Sequence, residues 1–195
     1  MEIARREFTR RDMLKISLLG SAALLFPLER TARTKASVKD RLPESLLPRP
    51  FQMPFSVPPV APKLDPKKMR NPEPNTDYYE MTMKQARLQI LPGRPPTEVW
   101  GYDGMTPGPT IHANKGRNVV VRHIKQITSP AHKHTSVHLY GNASLPQYDG
   151  YASDVIPPDH FKDYHYPNKQ DARTLWYHDH GVHDTSLNAY MGCAR

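Results

Sequence analysis

The chain has 195 residues, with 27 Lys and Arg against 19 Asp and Glu, for a formal charge of +8. That length suits one domain with a tail, and the single cysteine, Cys193, excludes an internal disulfide. Residues 1–36 hold eight basic and four acidic residues, half of the excess charge, and the rest of the chain has no basic run with interleaved aromatics, so the charge does not mark a nucleic-acid binder.

The first 36 residues read as an export signal. Thr9-Arg10-Arg11-Asp12-Met13-Leu14-Lys15 fits a twin-arginine pattern, and an apolar run over residues 16–28 comes directly after it. The run is too short to span a bilayer and has a basic front edge, as the apolar region of a signal does. The expected destination is periplasmic, cell-surface or extracellular. No later stretch is long and apolar enough to span a membrane.

Residues 37–75 read as a proline-rich arm or linker. Pro43, Pro48, Pro50, Pro54, Pro58, Pro59, Pro62, Pro66, Pro72 and Pro74 block helix and remove ladder donors. Such a segment is either a disordered linker or an extended arm laid on a body.

From residue 76 the signals are β. Met81, Met83, Ala86, Leu88 and Ile90 give an imperfect alternation, and Val119-Val120-Val121-Arg122-His123-Ile124 is a β-branched strand opened by Asn114-Lys115-Gly116. Turns are marked by Pro92-Gly93, Asp103-Gly104, Pro107-Gly108, Gly141-Asn142, Asp149-Gly150 and Pro157-Pro158. Strands at this spacing predict an all-β Greek-key sandwich or barrel over residues 76–195, with a short helical turn near residues 185–191.

Two histidine motifs stand forty residues apart, Ser136-Val137-His138-Leu139-Tyr140-Gly141 and Leu175-Trp176-Tyr177-His178-Asp179-His180. Side chains at i and i+2 of a strand point to one face, about 6.5–7 Å apart. That gap suits two neighbouring ions, one per imidazole, and imidazole favours copper, zinc, iron or nickel. A lone His-x-His is common outside metal sites. Here seven of ten histidines lie between His132 and His180, and both motifs sit in strand-like runs.

The pattern resembles the first domain of multicopper oxidases, in the bilirubin-oxidase and spore-coat-laccase branch. The likeness extends to Tyr78-Tyr79-Glu80-Met81-Thr82-Met83, Val99-Trp100-Gly101-Tyr102-Asp103-Gly104, Pro107-Gly108-Pro109-Thr110-Ile111, Phe161-Lys162-Asp163-Tyr164-His165-Tyr166-Pro167-Asn168 and Asn188-Ala189-Tyr190-Met191-Gly192. It covers about residues 76–195. It implies a cupredoxin-like domain, incomplete where the chain stops at Gly192-Cys193-Ala194-Arg195, with the remaining cupredoxin domains of the enzyme as its partners.

The resemblance also implies roles. His138 matches a type-2 copper ligand, and His178 and His180 match ligands of the type-3 pair. Tyr140 stands where the family has another type-3 histidine. A phenol must ionise, with a pKa near 10, before it ligates well, and its hard oxygen disfavours Cu(I). Asp149 matches an acid beside the trinuclear cluster that assists protonation of reduced oxygen; without the resemblance, Asp149-Gly150 reads only as a turn. His183 reads as a supporting group near the second motif.

The family oxidises phenols, bilins or metal ions one electron at a time and reduces oxygen to water. Its type-1 copper site is a His-Cys-His motif, which Cys193 does not match. The chain alone is therefore expected not to turn over. Other readings are a non-enzymatic copper binder, half of a split oxidase, a copper-less cupredoxin scaffold, or a truncated gene copy. Retention of three of four motif histidines argues against the copper-less scaffold.

Overall fold

The computed structural model describes residues 42–51, 53–69, 71–129 and 134–195. The expected export signal lies outside them. The chain divides into two units, residues 1–47 and 48–195. Of the first, the described part holds a single 3-10 turn, Glu44–Leu46.

In the second unit, six strands account for most regular structure. β1 is Thr76–Leu88, β2 Thr97–Tyr102, β3 Asn118–Lys125, β4 Val137–Tyr140, β5 Phe161–Tyr166 and β6 Trp176–Asp179. One sheet has the order β2-β1-β3-β5, and a smaller sheet pairs β4 with β6. β1 runs parallel to β3, with Tyr79 opposite Val121, and the other pairings are antiparallel. A parallel pair needs a crossover connection, so this pairing is non-local. The result is the all-β, cupredoxin-like fold that the turn spacing and the resemblance led us to expect.

The alternation along β1 is real but fades. Met81 and Met83 are fully buried, Ala86 and Leu88 are half-buried, and Ile90 is exposed beyond the strand end. Just past β2, Asp103 and Gly104 take positive φ, and Asp103 Oδ1 accepts the N–H of Thr82 at 2.8 Å. Thr110 pairs only in one isolated bridge, to Val60. Pro107 and Pro109 lack the donors a longer ladder would need.

That bridge belongs to the arm. Ala61 N–H donates to Thr110 O, Thr110 N–H to Pro59 O, and Leu64 N–H to Tyr78 O. Ala61 is buried, and Lys63 reaches Asp77 Oδ2 at 2.8 Å, where Arg117 also binds the carboxylate. Residues 59–64 are therefore an edge segment laid on the sheet.

The core lies between the two sheets. Val137 and Tyr177 from the small sheet pack with Tyr79, Met81, Val121 and Tyr164 from the large one. Tyr102 meets Tyr177 edge to face at 4.8 Å, and Tyr164 Oη accepts the N–H of Val137 at 3.0 Å. These contacts seat the β4–β6 ribbon on the body. Cys193 is fully buried, and its thiol donates to Trp100 O at 2.9 Å. Among the described residues one α-helix, α1, spans Thr185–Met191, where a helical turn was expected, and packs against β2 and β6.

Candidate metal centre

The register of the β4–β6 ribbon sets the site. Val137 lies opposite Asp179, His138 opposite His178, Leu139 opposite Tyr177 and Tyr140 opposite Trp176. Strand alternation sends Val137, Leu139, Tyr177 and Asp179 toward the core and the other four to the opposite face. Burial follows that division at the ends of the ribbon, where Val137 and Asp179 are fully enclosed while Tyr140 is 57% and Trp176 39% exposed; His178, on the outer face, is buried as well. His180, two residues beyond His178, continues the outer row.

Three imidazoles are thereby brought together. Ring centroids are 5.6 Å apart for His138 and His178, 5.3 Å for His138 and His180, and 5.9 Å for His178 and His180. They spread across a face: among the described residues, no three His, Cys, Asp or Glu side chains converge as a cage for one ion. Trp176 stacks on His178 with centroids 4.2 Å apart and planes 25° from parallel. Tyr140 lies 6.1 Å from His138 by ring centroids, at the solvent end of the row.

Two of the rings have fixed tautomers. His138 Nδ1 meets the main-chain O of Asp149 at 2.5 Å, and His178 Nδ1 meets that of Asp179 at 2.6 Å. A carbonyl oxygen only accepts, so both Nδ1 atoms carry the proton and both Nε2 atoms keep a lone pair for a ligand. Burial holds the pKa of His178 below its ordinary value. Its bond to Asp179 O opposes that shift, and the neighbouring His138 and His180 add to it. A neutral imidazole is the form a metal requires. His180 Nδ1 is buried with no hydrogen-bond partner among the described residues, which is rare for a buried polar atom and fits a nitrogen reserved for a metal.

Asp149 comes beside His138 through a close approach of backbone. Gly150 has φ +74°, and a Cβ there would stand 2.3 Å from Val137 O and 2.7 Å from His138 Cα. Only glycine lets the Asp149 carbonyl reach the ring. The Asp149 carboxylate itself is half-exposed, with Oδ1 3.5 Å from His138 Nδ1. Asp149, His138 and His180 line one cavity of about 220 Å³ with Ser144, Pro146, Gly150 and Tyr151. A separate apolar cavity of about 200 Å³ lies behind Trp176 and Tyr177 and contains none of the three imidazoles.

The remaining histidines stand apart. His134 bonds Asp184 at 3.1 Å, and His112, His160 and His183 are exposed. His183 has positive φ and is exposed. His132 lies outside the described residues. His123 is a core residue, enclosed by Tyr102, Tyr164 and Tyr177. Sequence reading missed the stacking of Trp176 and the inward carboxylate of Asp179. Both follow from alternation: Asp179, between two outward histidines, points inward, and Trp176, two residues before His178, shares its face.

The sequence model of the multicopper oxidase family matches residues 82–194. Bilirubin oxidase of Albifimbria verrucaria is 44% identical over 147 residues, covering 74% of this chain and 24% of that protein. A laccase of Bacillus subtilis is 37% identical over 141 residues, covering 59% and 28% respectively. A multicopper oxidase structure from Pediococcus acidilactici superposes with a TM-score of 0.61 at 27% identity, covering 73% of this chain and 28% of that one. The chain thus spans about a quarter of the length of these relatives. With a family match over more than half its length, on a fold whose small sheet gathers three imidazoles, the chain belongs to the multicopper oxidases, a copper-binding family.

Proposed function

We propose that this chain is the part of a laccase- or bilirubin-oxidase-like enzyme that offers His138, His178 and His180 to a trinuclear copper cluster. His138 serves the type-2 ion, and His178 and His180 serve the type-3 pair. The observation that carries the reading is the row of three neighbouring imidazoles, two with Nδ1 held by carbonyls and the third with an unpartnered buried nitrogen. The copper, when bound, supplies one-electron acceptance and the reduction of oxygen to water. The chain's own residues aim the imidazoles, and Asp149, in the cavity with His138 and His180, is the carboxyl group placed to relay a proton toward that space.

The other cupredoxin domains of the enzyme are the proposed partners. Phenols, bilins or metal ions are the proposed reductants, and twin-arginine export is the proposed route. Tyr140 weakens the type-3 half of the site, because a neutral phenol offers a poor lone pair where the family uses imidazole. The electron-entry site needs a thiolate with two imidazoles. The one cysteine, Cys193, is buried, its neighbours in sequence are Gly192 and Ala194, and burial pushes its thiol pKa up.

Oxygen uptake tests this reading. The copper-loaded chain with a phenolic reductant is expected to consume no oxygen above free copper, and Tyr140→His does not change that. Turnover by the chain alone would contradict it.

A further inference from the structure

The inward carboxylate of Asp179 meets more partners than a turn or strand residue needs. Its side chain is fully buried between two of the three metal-facing histidines. Oδ1 accepts the N–H of Ser136 at 3.1 Å. Oδ2 accepts the N–H of Gly181 at 3.1 Å and the side-chain amide of Asn188 at 2.9 Å. Those donors belong to three segments: the lead into His138, the residue after His180, and α1.

The main chain of Asp179 closes the arrangement. Its carbonyl holds His178 Nδ1 at 2.6 Å, and its N–H donates to Cys193 O at 2.9 Å. Ser136, which gives its N–H to the carboxylate, takes the N–H of His180 on its own carbonyl at 2.6 Å. The same Asn188 amide also donates to His134 O at 2.9 Å. Every imidazole of the row is therefore within two residues of an atom fixed directly or through one bond by this carboxylate.

We propose that Asp179 is the positioning residue of the copper face: its carboxylate anchors the segment whose Asp179 carbonyl sets the tautomer of His178, and so fixes the spacing of the three imidazoles. The inference rests on the copper reading above. Only a carboxylate suits the place, since it presents two acceptor-only oxygens to three N–H donors. An amide would turn its NH₂ toward at least one of them. An alanine would leave the buried N–H groups of Ser136 and Gly181 without an acceptor and Asn188 with only His134 O. Outer partners that hold metal ligands in this way typically change metal affinity by roughly 10–100-fold when removed.

The test uses the full 195-residue chain, Cu(II) in competition with a chelator, and ring-nitrogen NMR of the metal-free protein. Asp179→Asn is expected to weaken copper binding by roughly 10–100-fold and to release the His178 Nδ1 proton from its single tautomer. Asn188→Ala, which removes one of three donors and leaves the carboxylate, covers the case in which Asp179→Asn does not fold; it is expected to give a smaller loss in the same direction. Met83→Ala, a core substitution on β1, lowers the melting temperature without moving affinity or tautomer. Affinity and tautomer unchanged in both Asp179→Asn and Asn188→Ala would overturn the proposal. An affinity loss in Met83→Ala equal to that in Asp179→Asn would overturn it too, by showing a general effect of stability. A triple His138→Ala, His178→Ala, His180→Ala variant separates the two layers: if it binds copper as well as the unaltered chain does, the copper assignment itself fails.

Discussion

His138 and His178 face each other directly across the β4–β6 ribbon, with ring centroids 5.6 Å apart and planes 80° from parallel. Neither ring can shift along its strand, because a one-residue slip would turn that strand's residues to the opposite face. The site is thus as rigid as the ribbon, and the ribbon is held by Tyr102, Tyr164 and the buried partners of Asp179.

Gly150 supports that geometry from the other side. Gly150→Ala would press a methyl against Val137 O and hold a non-glycine residue at φ +74°. We expect a loss of about 1–3 kcal/mol in stability. Because His138 Nδ1 would lose the Asp149 carbonyl, copper affinity should fall by roughly 10-fold or more. Thermal melts and a copper titration read the two effects. An unaltered titration with a lowered melt would show that the Asp149 carbonyl does not orient His138.

Tyr140 tests the departure from the family pattern. It is 57% exposed and lies at the end of the imidazole row, so Tyr140→His should alter stability by less than about 0.5 kcal/mol. A fourth imidazole is expected to tighten copper by about tenfold, the effect of an added contribution of about 1.4 kcal/mol. Copper retention after gel filtration is the readout. Equal retention in the two proteins would mean that Tyr140 already serves as a ligand or that the position does not reach copper.

His123 makes the fold acid-sensitive. Burial drives its pKa down to about 3, against a small upward pull from Asp163. The folded state therefore keeps it neutral while the unfolded chain protonates it below about 6.5. Its contribution to stability is full above about pH 6.5 and is lost as pH falls toward 3, by roughly 4 kcal/mol in all. His123→Phe keeps an aromatic ring among Tyr102, Tyr164 and Tyr177 and should flatten this part of the profile. Urea unfolding of both proteins at pH 7 and pH 4 gives the comparison. Parallel pH profiles would contradict the assignment.

Much of the centre was legible because period-2 alternation is local. His178 and His180 had to share a face, and His138 joined them once the two strand-like motifs paired. The position of α1 was also readable. The parallel pairing of β1 with β3 was not, since it joins segments about forty residues apart and no local pattern encodes it. The arm over residues 59–64 was ambiguous for a similar reason: proline excludes helix but does not say whether an extended segment finds an edge to bond. His123 and Asp179 looked unremarkable in sequence, and only packing against three tyrosines, or against three N–H donors, gives them their roles.

The central claim is that His138, His178 and His180 are copper ligands of this chain. Electron paramagnetic resonance during a Cu(II) titration tests it most directly, because it reads weak binding at equilibrium and reports nitrogen coordination. With ten histidines in the chain, other sites contribute a background. The expected result is a nitrogen-coordinated signal in the unaltered protein that is lost in the His138→Ala, His178→Ala, His180→Ala variant, while far-ultraviolet circular dichroism stays the same. An identical signal and stoichiometry in the two proteins would contradict it.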